Sequence, residues 1–240
     1  MRLPWWIDPS ERRLTPEWMD RPDLDPQAHG TALNGLERIN WLSLSHRALW
    51  PAIRELARRH AADNIRVLDV ACGGGDVTVR LARAARRAGG RIAVDGCDVS
   101  ATALELAKRR AERGRVACRF FPLDALRDPF PTDYDVICCS LFLHHLTNDE
   151  AERLLNRMAH SAKRLVLVND LMRSRWGYLL ARAGTRLLSR SPIVHYDGPV
   201  SVAGAFTPRE LSAMATRAGL IGATVTRRWP ERMLLEWHKR

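Results

Sequence analysis

From residue 61 onward, apolar runs alternate with amphipathic stretches. Residues 65–71, 91–98, 117–121, 134–140 and 164–169 are short, apolar and rich in β-branched or aromatic side chains, and they read as strands. Between them, residues 76–88, 101–114 and 148–161 carry apolar positions at helical spacing. Alternating strand and helix with apolar strands predicts a parallel sheet covered by helices on both faces. A further amphipathic helix is predicted over 175–188. It places Trp176, Leu179, Leu180, Ala183 and Leu187 on one face and Arg182 and Arg186 on another. Residues 189–206 read as a loop. A helix then opens at Thr207 as N-cap, with Pro208 and Glu210 at the first and third helical positions, and runs to 218. Residues 222–229 and 232–238 read as a hairpin whose last strand completes a seven-stranded sheet. Ahead of the core, residues 1–30 form a proline-rich arm bearing Trp5, Trp6 and Trp18. Two helices follow over 27–42 and 46–60, with Pro51 near the start of the second. The expected division is an arm with cap helices over 1–60 and one catalytic unit over 61–240.

Composition narrows the class. The chain has 240 residues, 46% hydrophobic and 27% charged, as in ordinary globular proteins. No apolar run reaches the ~20 residues that span a bilayer, and the N-terminus lacks the apolar core of a signal peptide. Cys72, Cys97, Cys118, Cys138 and Cys139 fall in or near strands without metal-type spacing. A reducing, cytoplasmic setting is expected. The net charge is +11, nearly all arginine, with lysine only at 108, 163 and 239. A GC-rich coding bias and a functional basic surface both account for it. No basic tail is present, so a nucleic-acid partner is not expected.

The chemistry concentrates in Val67-Leu-Asp-Val-Ala-Cys-Gly-Gly-Gly-Asp76. An apolar strand runs into three glycines and then straight into a helix. Such a turn lets backbone approach a ligand closely, and the helix N-terminus offers unpaired N–H groups. The second strand ends in Asp98, an acid placed to accept hydrogen bonds from ribose hydroxyls. The spacing is Asp69-x-Ala71-x-Gly73-x-Gly75, not the G-x-G-x-x-G of dinucleotide folds, and no P-loop Lys-Ser/Thr follows.

This pattern resembles the first motif of class I S-adenosylmethionine (SAM)-dependent methyltransferases, with Ala71 in place of the first glycine. The resemblance implies a Rossmann-like fold, SAM as cofactor and S-adenosylhomocysteine as product. It places the Gly73–Gly75 turn, with Asp69 and Ala71, at the methionine moiety, where Asp69 orients the turn more than it touches cofactor; Asp98, with Val99 beside it, stands at the ribose, and Asp124 with Ala125 at the adenine. Ser140, at the end of the fourth strand, would line the transfer site. A plainer reading makes Asp98 and Asp124 loop acids that cap the next turn. The runs Gly35-Leu-Glu-Arg-Ile-Asn40 and Val168-Asn-Asp-Leu-Met-Arg-Ser174, with the His144-His145 pair, narrow the likeness. They are similar to bacterial small-molecule methyltransferases found beside type III polyketide synthases, and distantly to ubiquinone/menaquinone methyltransferases. The implied acceptor is a hydrophobic phenolic or pyrone hydroxyl; the alternatives are a quinone-type C-methyltransferase and an RNA- or protein-modifying enzyme that uses the basic surface.

His144 and His145 follow the fourth strand at the edge where open α/β sheets bind ligands. One of them is a candidate base for the acceptor hydroxyl; the alternative is that both order the loop. His195-Tyr196-Asp197 is a further candidate for the acceptor pocket. Asn169-Asp170 stands where catechol-type relatives hold Mg²⁺, but no acid follows the fourth strand, so no metal is expected. The 175–188 helix and the arm are candidate lids. The helix's basic amphipathic character also fits a peripheral membrane contact.

Overall fold

The computed structural model describes residues 8, 10–20, 45–89 and 91–239. The expected helix over 27–42, Trp5, Trp6 and the run from Gly35 to Asn40 lie outside these residues. Seven strands form one sheet: β1 (Ile65–Val70), β2 (Ile92–Asp98), β3 (Phe120–Pro122), β4 (Val136–Ser140), β5 (Leu165–Leu171), β6 (Thr224–Arg228) and β7 (Arg232–His238). Their order is β3-β2-β1-β4-β5-β7-β6. All neighbours among β1–β5 are parallel, and β7 runs antiparallel to both β5 and β6. The last strand therefore inserts beside β5, and β6 forms the edge.

Among the described residues, seven α-helices accompany it: α1 (Ser45–Arg59), α2 (Asp76–Arg87), α3 (Ala101–Gly114), α4 (Asn148–Ser161), α5 (Arg175–Leu188), α6 (Pro192–Gly204) and α7 (Pro208–Arg217). Local chemistry fixes several of their starts. Ser100 caps α3 by accepting from the Ala103 N–H. Thr147 with Glu150, and Thr207 with Glu210, close capping boxes at α4 and α7. Strand alternation divides the core. Val67, Val136, Cys138, Leu165 and Leu167 pack beneath Leu49 and Ile53 of α1 and Leu81 of α2. Leu68, Ile137, Cys139, Val166 and Val168 face Leu154 and Met158 of α4 and Leu211 of α7. Each fully buried aliphatic side chain contributes about 1.5–3 kcal/mol.

Two expectations need correction. Pro51 lies inside α1, not at its start. Residues 189–206 were expected to be a loop, yet most of them form α6. Pro192 opens that helix, and Pro199 sits buried within it. Gly198, Pro199, Gly204 and the β-branched valines lower helix propensity, but packing prevails. Gly198 lies so close to α5 that a Cβ there would meet Thr185 Cγ2.

The order β2-β1-β4-β5 reverses direction between β1 and β4. At such a switch point the loops leaving the two strands diverge and open a crevice at their C-terminal ends. Val70 pairs with Cys139, so the glycine turn and the loop carrying the histidines leave the sheet side by side.

Candidate active site

Alternate residues of the turn after β1 take left-handed backbone: Ala71 at φ 53°, Gly73 at 52° and Gly75 at 73°. An L-residue pays about 1–2 kcal/mol there, which Ala71 bears and the glycines avoid. At Gly75 the demand is also steric. A Cβ would stand 2.7 Å from Ala107 Cβ and 3.2 Å from the Phe120 ring, so glycine lets α2 close on α3. At Gly73 a Cβ would meet nothing within 4 Å.

Asp98 ties the turn to the end of β2. Its Oδ2 accepts from the Gly73 N–H at 2.8 Å, and its Oδ1 accepts from the Ser100 N–H at 2.9 Å. Val99, its neighbour, is 72% exposed. Asp124 turns back on its own loop: its Oδ1 accepts from the Leu126 N–H at 2.8 Å, and its own N–H donates to Asp128 at 2.7 Å. Ala125 is buried. Asp69 is buried under the turn and accepts from Thr78 Oγ1 at 2.6 Å. Burial pushes its carboxyl up to about 7, against the lowering effect of the Thr78 hydrogen bond.

A cavity of about 510 Å³ begins at this turn. Asp69, Ala71, Gly73, Ser140, His144 and His145 line one end, and Leu171, Leu180, Ala181, Leu188 and Val202 give the other an apolar wall. Gly75, Asp98, Val99, Asp124 and Ala125 lie outside this cavity, on the side of the turn toward β2 and β3.

His144 and His145 end a short 3₁₀ turn after β4. Leu141, just before it, holds φ 59°. His144 is buried, with Nδ1 2.6 Å from Asp170 Oδ1. Burial would raise the Asp170 carboxyl. The charge and hydrogen bond of His144, together with the Leu171 N–H, hold it below its ordinary value. Asn169 donates to Ser140 Oγ at 2.8 Å. Asn169 and Asp170 thus both serve side chains of the β4 loop.

Glu17, far from every motif in the chain, also lines the cavity and is buried beside both histidines. Arg12 holds its segment down. It donates to Gly204 O at 2.6 Å and Leu146 O at 2.7 Å, and its guanidinium lies 3.8 Å from the Phe206 centroid. Trp18 stacks on Tyr196 at 4.3 Å, and Asp197 accepts the N–H groups of Trp18 and Met19 at 2.8 and 3.1 Å. His195 bonds Ser189 O at 2.7 Å. The His195-Tyr196-Asp197 run therefore anchors structure and does not line the cavity. No local pattern in the sequence marks Arg12 or Glu17.

Residues 67–164 match a methyltransferase-domain family. This stretch, which holds the glycine turn, Asp98, Asp124 and the histidine pair, is similar to methyltransferase domains. Among similar proteins, the ubiquinone biosynthesis O-methyltransferase of Bordetella parapertussis is 32% identical over 163 residues, covering 65% of this chain and 61% of that protein. The chain thus matches less than two thirds of that relative's length. The enzyme of the same description from Psychrobacter arcticus is 26% identical over 228 residues, covering 89% of this chain and 82% of its own. A solved magnesium protoporphyrin IX methyltransferase from Synechocystis PCC 6803, with bound S-adenosylhomocysteine, superposes at TM-score 0.56 and 16% identity. That match covers 92% of this chain and 91% of the other, and it shares the methyltransferase fold. The donor set suits the cofactor: a turn open at Gly73, and a carboxylate held by backbone N–H groups with lone pairs to spare. Among the described residues, no helix is long and apolar enough to cross a membrane.

Proposed function

We propose that the chain methylates a hydroxyl of a hydrophobic phenolic or pyrone acceptor of polyketide type. The observation that carries this reading is the cavity, which joins the Gly73 turn to the His144–His145 pair along an apolar wall. In this reading the turn from Asp69 to Gly75 cradles the methionine end of SAM. Asp98, with Val99 beside it, takes the ribose hydroxyls, and Asp124 and Ala125 border the adenine. SAM supplies, when bound, a methyl group already activated on a sulfonium. The chain's work is then alignment, exclusion of water, and removal of the hydroxyl proton.

Ser140, His144, His145 and Glu17 form the polar end that receives that hydroxyl. Asp170 engages Nδ1 of His144, which presents Nε2 to the hydroxyl. An aromatic body fits the wall of Leu171, Leu180, Leu188 and Val202. The O-methyltransferase relatives support oxygen as the nucleophile. C-methylation of a quinone-type ring is the competing reading. Trp229 of the cavity lining and Trp176 and Leu187 of α5 are exposed, which favours an acceptor delivered from a lipid surface. Five free cysteines fit the cytoplasm.

Incubation with radiolabelled SAM and a panel of alkylresorcinols, pyrones, quinols and total RNA tests the reading. Label should enter the resorcinol or pyrone fraction. Label confined to RNA, or to quinol ring carbon, overturns it.

A further inference from the structure

Glu17, His144 and His145 bring three metal-ligating groups within 4.8 Å of one another at the cavity wall. Nε2 of His144 lies 3.7 Å, and Nδ1 of His145 3.8 Å, from the same atom, Oε1 of Glu17. Glu17 is only 8% exposed and His144 6%. A carboxylate buried to this degree needs a compensating charge or several donors. Ser201 Oγ supplies one donor. Across the remaining gap stands His144, whose Nδ1 is already engaged by Asp170 at 2.6 Å, so that Nε2 is the ring nitrogen facing Glu17. A ring nitrogen and a buried carboxylate oxygen facing one another are bridged either by a proton on the ring or by an ion.

We propose that Glu17, His144 and His145 bind one divalent transition-metal ion of the zinc class, with Asp170 as the positioning residue for His144. Two imidazoles and one carboxylate suit Zn²⁺, Co²⁺ or Fe²⁺ and are poor for Mg²⁺ or Ca²⁺, which prefer oxygen. Bonds of about 2.1 Å in a tetrahedral site set ligand atoms about 3.4 Å apart. The two distances to Glu17 already approach that spacing, and a small rotation of the His145 ring would complete it. The carboxylate behind His144 is the usual support of a metal-bound imidazole, fixing tautomer and ring orientation. Three protein ligands leave a coordination position on the cavity side. An acceptor hydroxyl bound there would lose its proton more readily, as metal-bound water does. That catalytic role rests on the methyl-transfer reading; binding of the ion does not. The carboxylate of this cluster comes from the N-terminal segment, 127 residues before His144, and not from the strand ends.

The test is titration of chelator-dialysed full-length protein with Co²⁺, followed by visible absorption, and with Zn²⁺, followed by calorimetry. One equivalent should bind, giving ligand-field bands of a four- or five-coordinate ion. Glu17→Gln and His145→Ala should lose at least about tenfold in affinity, and Asp170→Asn about 10–100-fold. All three should still bind S-adenosylhomocysteine, which shows that they fold. Failure of millimolar Co²⁺ to bind at one equivalent, leaving only a bridging proton, overturns the proposal. So does unchanged affinity in Glu17→Gln. Methyl transfer at full rate after chelation would remove the ion's catalytic role and leave the methyltransferase reading standing. Stoichiometric Co²⁺ binding without transfer to any acceptor would do the reverse.

Discussion

Nδ1 of His144 and Oδ1 of Asp170 lie 2.6 Å apart in a buried contact between the loop after β4 and the end of β5. Asp170 also accepts the Leu171 N–H at 2.6 Å. The imidazole is thus held from behind by a carboxylate that is itself fixed by backbone N–H groups. Replacing Asp170 with Asn keeps the shape, but its amide N–H₂ can face Nδ1 and reverse the tautomer. Turnover of Asp170→Asn should fall by roughly 100-fold or more, with S-adenosylhomocysteine affinity nearly unchanged. Steady-state kinetics beside calorimetry would show this split. An equal loss in both would mean that Asp170 only supports the fold.

Gly73 and Gly75 share a backbone conformation but not a neighbourhood. Gly75→Ala should lose about 2–4 kcal/mol of stability in urea unfolding, because strain adds to a collision with Ala107. Gly73→Ala should lose only about 1–2 kcal/mol from strain, yet weaken cofactor binding about tenfold or more. Equal stability losses in the two variants would contradict this assignment.

Asp69 gives a pH dependence of stability. Its carboxyl is raised to about 7 in the folded chain from an ordinary 3.8. The folded state therefore favours the protonated form. The stability this contributes is fully present below about 3.8 and is lost as pH rises through about 7. Asp69→Asn removes the titration and can still accept from Thr78. Relative to wild type, it should gain roughly 2–3 kcal/mol between pH 5 and pH 8, at about 1.4 kcal/mol per pH unit below 7. Parallel denaturation profiles for the two proteins would show that Asp69 stays ionised.

Arg12 fastens the segment that carries Glu17. Its guanidinium meets the carbonyls of Gly204 and Leu146 and covers Phe206. Arg12→Ala leaves those carbonyls without their donor and loosens Glu17 from the histidines. Turnover should fall at least about tenfold while S-adenosylhomocysteine affinity changes little, and deletion of residues 1–20 should behave alike. Full turnover in either variant would show that the segment is not part of the catalytic wall.

The core was legible because its periodicities are local. The β1 turn, Asp98 at the end of β2 and the capping box at Thr207 follow from spacing alone, and the structure places them there. Helix α6 was hidden by two prolines and two glycines, since tertiary contact with α5 and Trp18 overrides propensity. The Asp170–His144 contact was half visible: both residues stood out, but pairing across adjacent strands is a property of register. Arg12 and Glu17 were not visible at all, because only the folded chain brings residues 12–17 against residues 144–146.

The most direct test of the account is a crystal structure of the chain with S-adenosylhomocysteine and an alkylresorcinol. The account predicts ribose hydroxyls on Asp98, the homocysteine end against Gly73, and the resorcinol oxygen in the His144–His145–Glu17 cluster, with its ring along Leu180 and Val202. Cofactor bound away from Asp98, or a resorcinol whose hydroxyls point away from both histidines, would contradict it.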